Sequence, residues 1–324
     1  MSEQNGNSRD VSGGRMVTML RPFSGRLLLV VFLLALLAIT NMAIPFAVKL
    51  LIDDVFPIGP DGSGDWTLLW FILPAVLLIY VVRNTLFYGS RMSSLRVSED
   101  LCFSLRKRLF EHLQQMSLRY YKAHQAGKIG SRVLDDTYKI QAFIQDKLPT
   151  LLLNLLMGQV LLVIICVVNT RLAIATTIIL PLHFITYRYF RKPIRHSHRE
   201  AQENLSTAYG NLVEKFLGME VVKGFSAEQR ESDRFRKAID ASRQSQIRSQ
   251  QYHFAQKVAA DLLIGMGTVL LFGYGALEVM KGRMSGGTFF MYFGYVTMLY
   301  PAVLEIISGF GHLARATASA EPRL

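Results

Sequence analysis

Apolar positions in this chain come in long unbroken runs separated by charged stretches. From Leu27 to Ala47 no charged residue occurs, and no polar face recurs at the 3.6-residue period of a helix in water. About 20 apolar residues cover the hydrocarbon of a bilayer. By that measure six spans are predicted: Leu27–Ala47, Leu68–Phe87, Thr150–Val168, Leu172–Tyr187, Val258–Val279 and Phe289–Phe310. The fourth is the shortest and carries Pro181 and His183. The predicted fold class is an all-α membrane protein with six transmembrane helices.

The polar stretches are also patterned. Leu101, Leu105, Leu109 and Leu113 recur every four residues among charges, and Ala201 to Phe254 is helical in composition, nearly free of proline and glycine apart from Gly210, Gly218 and Gly224. Extensions of this kind, roughly 20–25 residues long, carry a helix about 30–40 Å beyond the bilayer. Met1 to Gly14 reads as a disordered polar tail, without the short apolar core and cleavage site of a signal peptide. Residues 15–26 mix Met19, Leu20 and Phe23 with Arg15, Arg21 and Arg26, which suits an amphipathic helix in the membrane interface. Residues 27–314 then form the membrane domain.

Charge sets the orientation. Lys and Arg crowd the connection from Arg91 to Lys147 and the one from Arg188 to Lys257, whereas the other three connections offer only Lys49, Arg171, Lys281 and Arg283. The positive-inside rule predicts an integral, multi-pass protein of the cell membrane, with both termini and both long connections in the cytoplasm. The connection carrying Asp53, Asp54, Asp61 and Asp65 is predicted to face outside. The net charge of +12 is therefore a property of inter-span segments, and nucleic-acid binding is not expected. Cys102 and Cys166 lie in unlike environments and predict no disulfide. The scattered histidines show no metal-ligand spacing.

Two segments in the long connections carry a specific pattern. The first runs Tyr120-Tyr121-Lys122-Ala123-His124-Gln125-Ala126-Gly127, then Ser131-Arg132-Val133, then Asp135-Asp136; the second has Glu214, Gly218, Val221-Val222-Lys223-Gly224-Phe225, Glu228 and Phe235. Together they resemble the two intracellular loops of six-helix ABC exporters, and the resemblance extends from about Arg21 to Glu321. Tyr-Tyr stands where Phe-Phe is commoner, and Gly224 where alanine is usual. The resemblance implies that loop tips at Asp135, Asp136 and Thr137 and at Gly218, Met219, Glu220, Val221 and Val222 form coupling helices seated on a nucleotide-binding domain. It also implies a homodimer, or a pairing with a homologous half, around one cavity, with the fourth and fifth helices crossing to the opposite half.

No G-x-x-x-x-G-K-[ST] phosphate loop occurs in the sequence, so this chain is expected neither to bind nor to hydrolyse ATP, and no catalytic residue is assigned. No cofactor is expected in it. ATP and Mg²⁺ are implied for the partner nucleotide-binding domain, and residues 315–324 are expected to open the linker to such a domain.

An ionisable group at mid-bilayer costs about 2.5–3.5 kcal/mol, so each one calls for a reason. Arg83 and Glu305 lie at matched depths and are expected either to pair across the pathway or to snorkel separately. His183 and Tyr300 are further candidates for a pathway, and Asn154 and Gln159 for hydrogen bonds between helices. Asp261 and Glu278 are expected to be solvated at span ends. With Arg83 the single cation well inside a span, a hydrophobic or amphipathic cargo of modest charge, small molecule or lipid, is expected. The rival class, an ion-driven secondary transporter or channel, predicts inverted repeats and broken helices around a mid-membrane charge cluster. Neither is evident in the sequence.

Overall fold

The computed structural model describes residues 23–56, 66–123, 130, 134–135 and 137–319. The expected tail, nearly all of the expected interfacial helix, Asp61, Asp65, Asp136 and the stretch His124–Gly127 lie outside the described residues, as do residues 320–324 of the expected linker.

Among the described residues every regular element is a helix. Helix α1 (Ser24–Leu50) ends in a π-helical turn, Leu51–Val55, and α2 runs from Trp66 to Gln114. The short α3 (Leu118–Ala123) follows. Then α4 (Thr137–Ala142) passes through a second π-helical turn, Phe143–Lys147, into α5 (Leu148–Val168). Next come α6 (Thr170–Thr177), α7 (Ile179–Leu217) and the short α8 (Met219–Gly224). The last two are α9 (Glu228–Met280) and α10 (Gly286–Ser319).

Among the described residues six helical stretches are long and apolar enough to cross a membrane, and they match the six predicted spans. The 49 residues of α2 make a rod of about 70 Å, more than twice the hydrocarbon thickness. The long connections are thus continuations of the spanning helices. Trp70, Phe71, Leu77 and Leu78 of α2 are exposed, a surface that would aggregate in water and is stable in hydrocarbon.

Local sequence explains the breaks. Pro181 lacks the N–H that would bond Thr177, so the fourth span is divided between α6 and α7. The corner before it is one extended residue, Asn169, whose Oδ1 accepts from the Leu172 amide at 3.0 Å and caps α6. The four-residue leucine spacing in α2 drifts about 40° per step against the helical period. Accordingly Leu101 is buried, Leu105 is partly buried and Leu109 is exposed.

The described chain divides into two compact units, the part up to Ile174 together with the part from Gly273 onward, and Ala175–Phe272. In the first unit α1 packs on α2, α5 and α10, and α10 on α5. Val30, Leu34 and Leu37 meet Leu86 and Leu152, Leu153 and Leu156. Nearer the extensions, Val97 and Leu101 close with Phe143 and Ile144, joined by Phe23 and Leu27. Arg26 pairs with Asp100, Arg106 Nε donates to the Thr137 hydroxyl at 3.0 Å, and Gln141 Nε2 to Glu99 Oε1 at 2.7 Å.

In the second unit α7 and α9 meet along small residues. Ser197, Ala201 and Ala208 are buried on α7, and Ser242, Ser245 and Ser249 on α9. Asn204 Nδ2 donates to Ser245 Oγ at 2.8 Å, and Arg248 reaches Glu200 at 3.5 Å.

Candidate functional site

The second predicted tip is a built corner. The amide of Gly218 closes α7 on the Glu214 carbonyl at 3.0 Å, and its carbonyl accepts from Val221 and Val222 to start α8. After α8 the chain turns through Phe225 and through Ser226, whose φ of 47° lies in the left-handed region. The Ala227 amide then returns to the Val222 carbonyl at 2.9 Å. Across the base, Lys215 Nζ lies 3.1 Å from Glu231, which also meets Arg234 at 2.9 Å and Arg230 at 3.6 Å. The hydrogen bond from Lys215 holds the Glu231 carboxyl below the usual glutamate range, with the neighbouring positive charges adding to it.

Such a corner is polar at its base and apolar at its end. Leu217 is 85% exposed, Phe225 79% and Val221 62%. Glu220 is exposed beside them, Met219 and Val222 are half-buried, and α8 buries no residue. A methyl at Gly218 would meet nothing nearer than the Glu214 carbonyl oxygen at 3.5 Å, so the break there tolerates a side chain.

The first predicted tip is different. A separate coupling helix was expected at Asp135, Asp136 and Thr137. Instead Thr137–Ala142 leads through the π-helical turn directly into the third span. Asp135 is exposed, and Asp136 lies outside the described residues. Thr137 is buried: its hydroxyl accepts from Arg106 and donates to the Leu134 carbonyl at 3.1 Å, which makes it a packing residue of α2 and α4.

The pathway candidates are dispersed. Arg83 is half-buried on α2 and donates through Nε to Asn41 Oδ1 of α1 at 2.7 Å, with its guanidinium 6.0 Å from the Tyr80 ring. Asn41 in turn points Nδ2 at the Met157 sulfur of α5 at 3.9 Å. Among the described residues Arg83 is thus met by a buried amide, and no ion pair joins it to Glu305, which is exposed on α10. Tyr300 on α10 and His183 on α7 are both buried. Asn154 donates to the Thr150 carbonyl of its own helix, where a bond between helices had been expected. Glu278 is not solvated as expected; it is 3% exposed and lies 3.3 Å from Arg283.

Sequence reasoning missed one constellation. At the end of α1, Asp53 accepts from the Gly287 amide at 2.8 Å and the Ser285 hydroxyl at 2.6 Å, while Ser285 Oγ accepts from the Thr288 amide at 3.1 Å. This joins the first and last spans where α10 begins. A Cβ on Gly287 would sit 2.5 Å from the Lys49 carbonyl oxygen, so the approach requires glycine. The sequence held a partial signal: Ser285 three residues before Thr288, with glycines between, is an N-cap pattern. Its acceptor on a distant helix was not marked.

Known proteins resemble the chain over nearly its whole length. The model of the ABC transporter transmembrane region matches residues 27–303. A Bacillus subtilis (strain 168) protein named as a multidrug export ATP-binding/permease protein is 24% identical over 294 residues, 89% of this chain and 51% of its own length. An ATP-dependent lipid A-core flippase of Syntrophus aciditrophicus (strain SB) is 25% identical over 316 residues, 98% of this chain and 52% of its own. A Staphylococcus aureus (strain NCTC 8325 / PS 47) protein, also named for multidrug export, is 26% identical over 261 residues, 80% of this chain and 45% of its own. The chain therefore spans about half the length of the curated relatives it matches. Six apolar helices, long helical extensions and a family match across both place this chain in the ABC transporter transmembrane region family, as an exporter-type, all-helical membrane domain.

Proposed function

We propose that this chain is the membrane half of an ATP-driven exporter, which moves a hydrophobic or amphipathic cargo by alternating access between two such halves. The observation that carries this reading is the tip at Gly218–Val222: a corner fixed by Lys215–Glu231, ending in exposed Leu217, Val221 and Phe225 at the far end of two long helices. Exposed apolar side chains on a rigid corner fit a groove on another folded domain, and a nucleotide-binding domain carrying ATP and Mg²⁺ is that partner. The helices α7 and α9 then act as levers, since each runs on from its span to the tip as one helix of 39 and 53 residues. The excess of Lys and Arg in these extensions supports a cytoplasmic tip and cytoplasmic termini.

The names of the relatives, multidrug export and lipid A-core flipping, agree with a cargo that has an apolar body. Within the spans, the Arg83–Asn41 pair offers one cation and one amide to a cargo with a single polar group. The test is transport in proteoliposomes by this chain joined to its ATP-hydrolysing domain. Amphipathic dye should move with ATP and Mg²⁺ and not with a proton or sodium gradient, and the chain alone should hydrolyse no ATP. Movement driven by an ion gradient alone would replace this reading with a secondary transporter.

A further inference from the structure

Arg188, Arg191, Lys192 and Arg195 follow the spacing i, i+3, i+4, i+7 and so share one face of α7. All four are exposed, whereas His183, Tyr187, Phe190, Ile194 and Ser197, on the other side of the helix, are buried or half-buried. No Asp or Glu occurs between Ile179 and Arg199, and the first carboxylate of the helix, Glu200, lies 3.5 Å from Arg248. Among the described residues none of the four cations has an ion-pair or hydrogen-bond partner. Farther along the same unit the pattern is the opposite: Lys215 and Arg234 share Glu231, and Arg243 meets Asp240. Four like charges within two turns oppose one another at i,i+3 and i,i+4 and favour the helix only when an anion lies over them.

The depth of the stripe says which anion. No Asp, Glu, Lys or Arg occurs from Leu172 to Tyr187, the fourth predicted span, so Arg188 stands where that span ends, at the edge of the hydrocarbon. Exposed Tyr189 stands at the same level, where aromatic side chains mark the interface. Pro193 also leaves the Tyr189 carbonyl without its helical donor, a loss that water at an interface makes good and hydrocarbon does not. The face is exposed along two turns, suited to a surface of headgroups.

We propose that this stripe binds the anionic headgroups of phospholipids in the leaflet on the side of the helical extensions, and so fixes the depth of α7. The probe is spin-labelled phosphatidylglycerol, compared with spin-labelled phosphatidylcholine, around the chain in phosphatidylcholine vesicles. The wild-type chain should restrict the anionic lipid severalfold more than the zwitterionic one, and salt should weaken the preference. The variant R188Q/R191Q/K192Q/R195Q should show a ratio near one. Replacing the three arginines by lysine should keep the preference, because headgroup phosphate is read here as charge. Neutralising Arg230, Arg234, Lys237 and Arg243, far along α9, should leave the ratio unchanged, which controls for net charge. An unchanged ratio in the first variant overturns the proposal. So does a change in oligomeric state without a change in ratio, which would mean that a second copy of the chain covers the stripe. A melting temperature equal to wild type in pure phosphatidylcholine shows that the first variant is folded, and the lysine variant tests the same charge without removing it.

Discussion

The junction of α1 with α10 and the tip around α8 are both helix ends, yet they are built in opposite ways. At the junction, Asp53 accepts two hydrogen bonds, Gly287 leaves no room for a methyl, and Pro45 presses so close to Gly294 that a Cβ there would sit 2.9 Å from its ring. Tyr295 closes the same seam by donating to the Met42 carbonyl at 3.1 Å. At the tip the backbone is equally ordered, but the apolar side chains are left outside. Helix pairs in a membrane gain nothing from hydrophobic exclusion and are held by close packing and hydrogen bonds. A tip in water that leaves large apolar side chains exposed has not satisfied its own surface. The junction is finished within the chain, whereas the tip leaves Leu217, Val221 and Phe225 uncovered.

That contrast predicts a ranking of effects on stability. The largest belongs to Gly287→Ala, because the new methyl meets backbone and carboxylate instead of a yielding side chain. A loss of about 1–3 kcal/mol is expected, read as a lower unfolding midpoint in detergent. Asp53→Ala comes next. It removes the acceptor for the Gly287 amide and costs about 0.5–2 kcal/mol, the range of a lost helix cap. If both variants were neutral, the junction would not be the closed contact described.

The third effect is smaller and depends on pH. Glu231 and Asp240 have carboxyls held below their ordinary range, by hydrogen bonds from Lys215 and from Arg243 respectively. A carboxyl whose folded pKa is depressed stabilises fully above its unfolded pKa, and that contribution fades as pH falls toward the folded value. The melting temperature of wild type should therefore exceed that of Glu231→Gln near neutrality. The gap should close below about pH 4, where the free carboxyl would protonate. A gap that widened in acid would contradict the Lys215 tie.

Much of this molecule was legible in the sequence because a bilayer imposes lengths. The uncharged run from Leu27 located α1 within a few residues, and the charged but periodic stretch after Phe87 announced that α2 continues beyond the membrane. Gly218 marked the break before α8, since the helical pattern stops there and resumes at Met219. What the sequence could not carry were partners distant along the chain. Asp53 looked like one acid among several in an outer loop, and only folding brings it to Gly287. Arg83 was matched by depth to a carboxylate, but depth leaves rotation about the helix axis open, and the face it occupies meets Asn41. Thr137 read as a tip residue because a motif fixes order along the chain, not which side is buried.

The smallest stability effect accompanies the largest expected functional one. Replacing exposed Val221 or Phe225 by Ser should change stability by less than about 0.5 kcal/mol, since neither is packed within the chain. Glu220→Lys, also exposed, should behave alike. The most direct test of the account joins this chain to its ATP-hydrolysing domain and measures transport and ATP hydrolysis per folded molecule for Glu220→Lys and Val221→Ser. Basal hydrolysis should persist in both variants, while cargo-stimulated hydrolysis and transport fall together, because the proposed contact of the tip with a nucleotide-binding domain is removed. Full cargo stimulation and normal transport with the tip disrupted would contradict the assignment of Gly218–Val222 as the point of mechanical coupling.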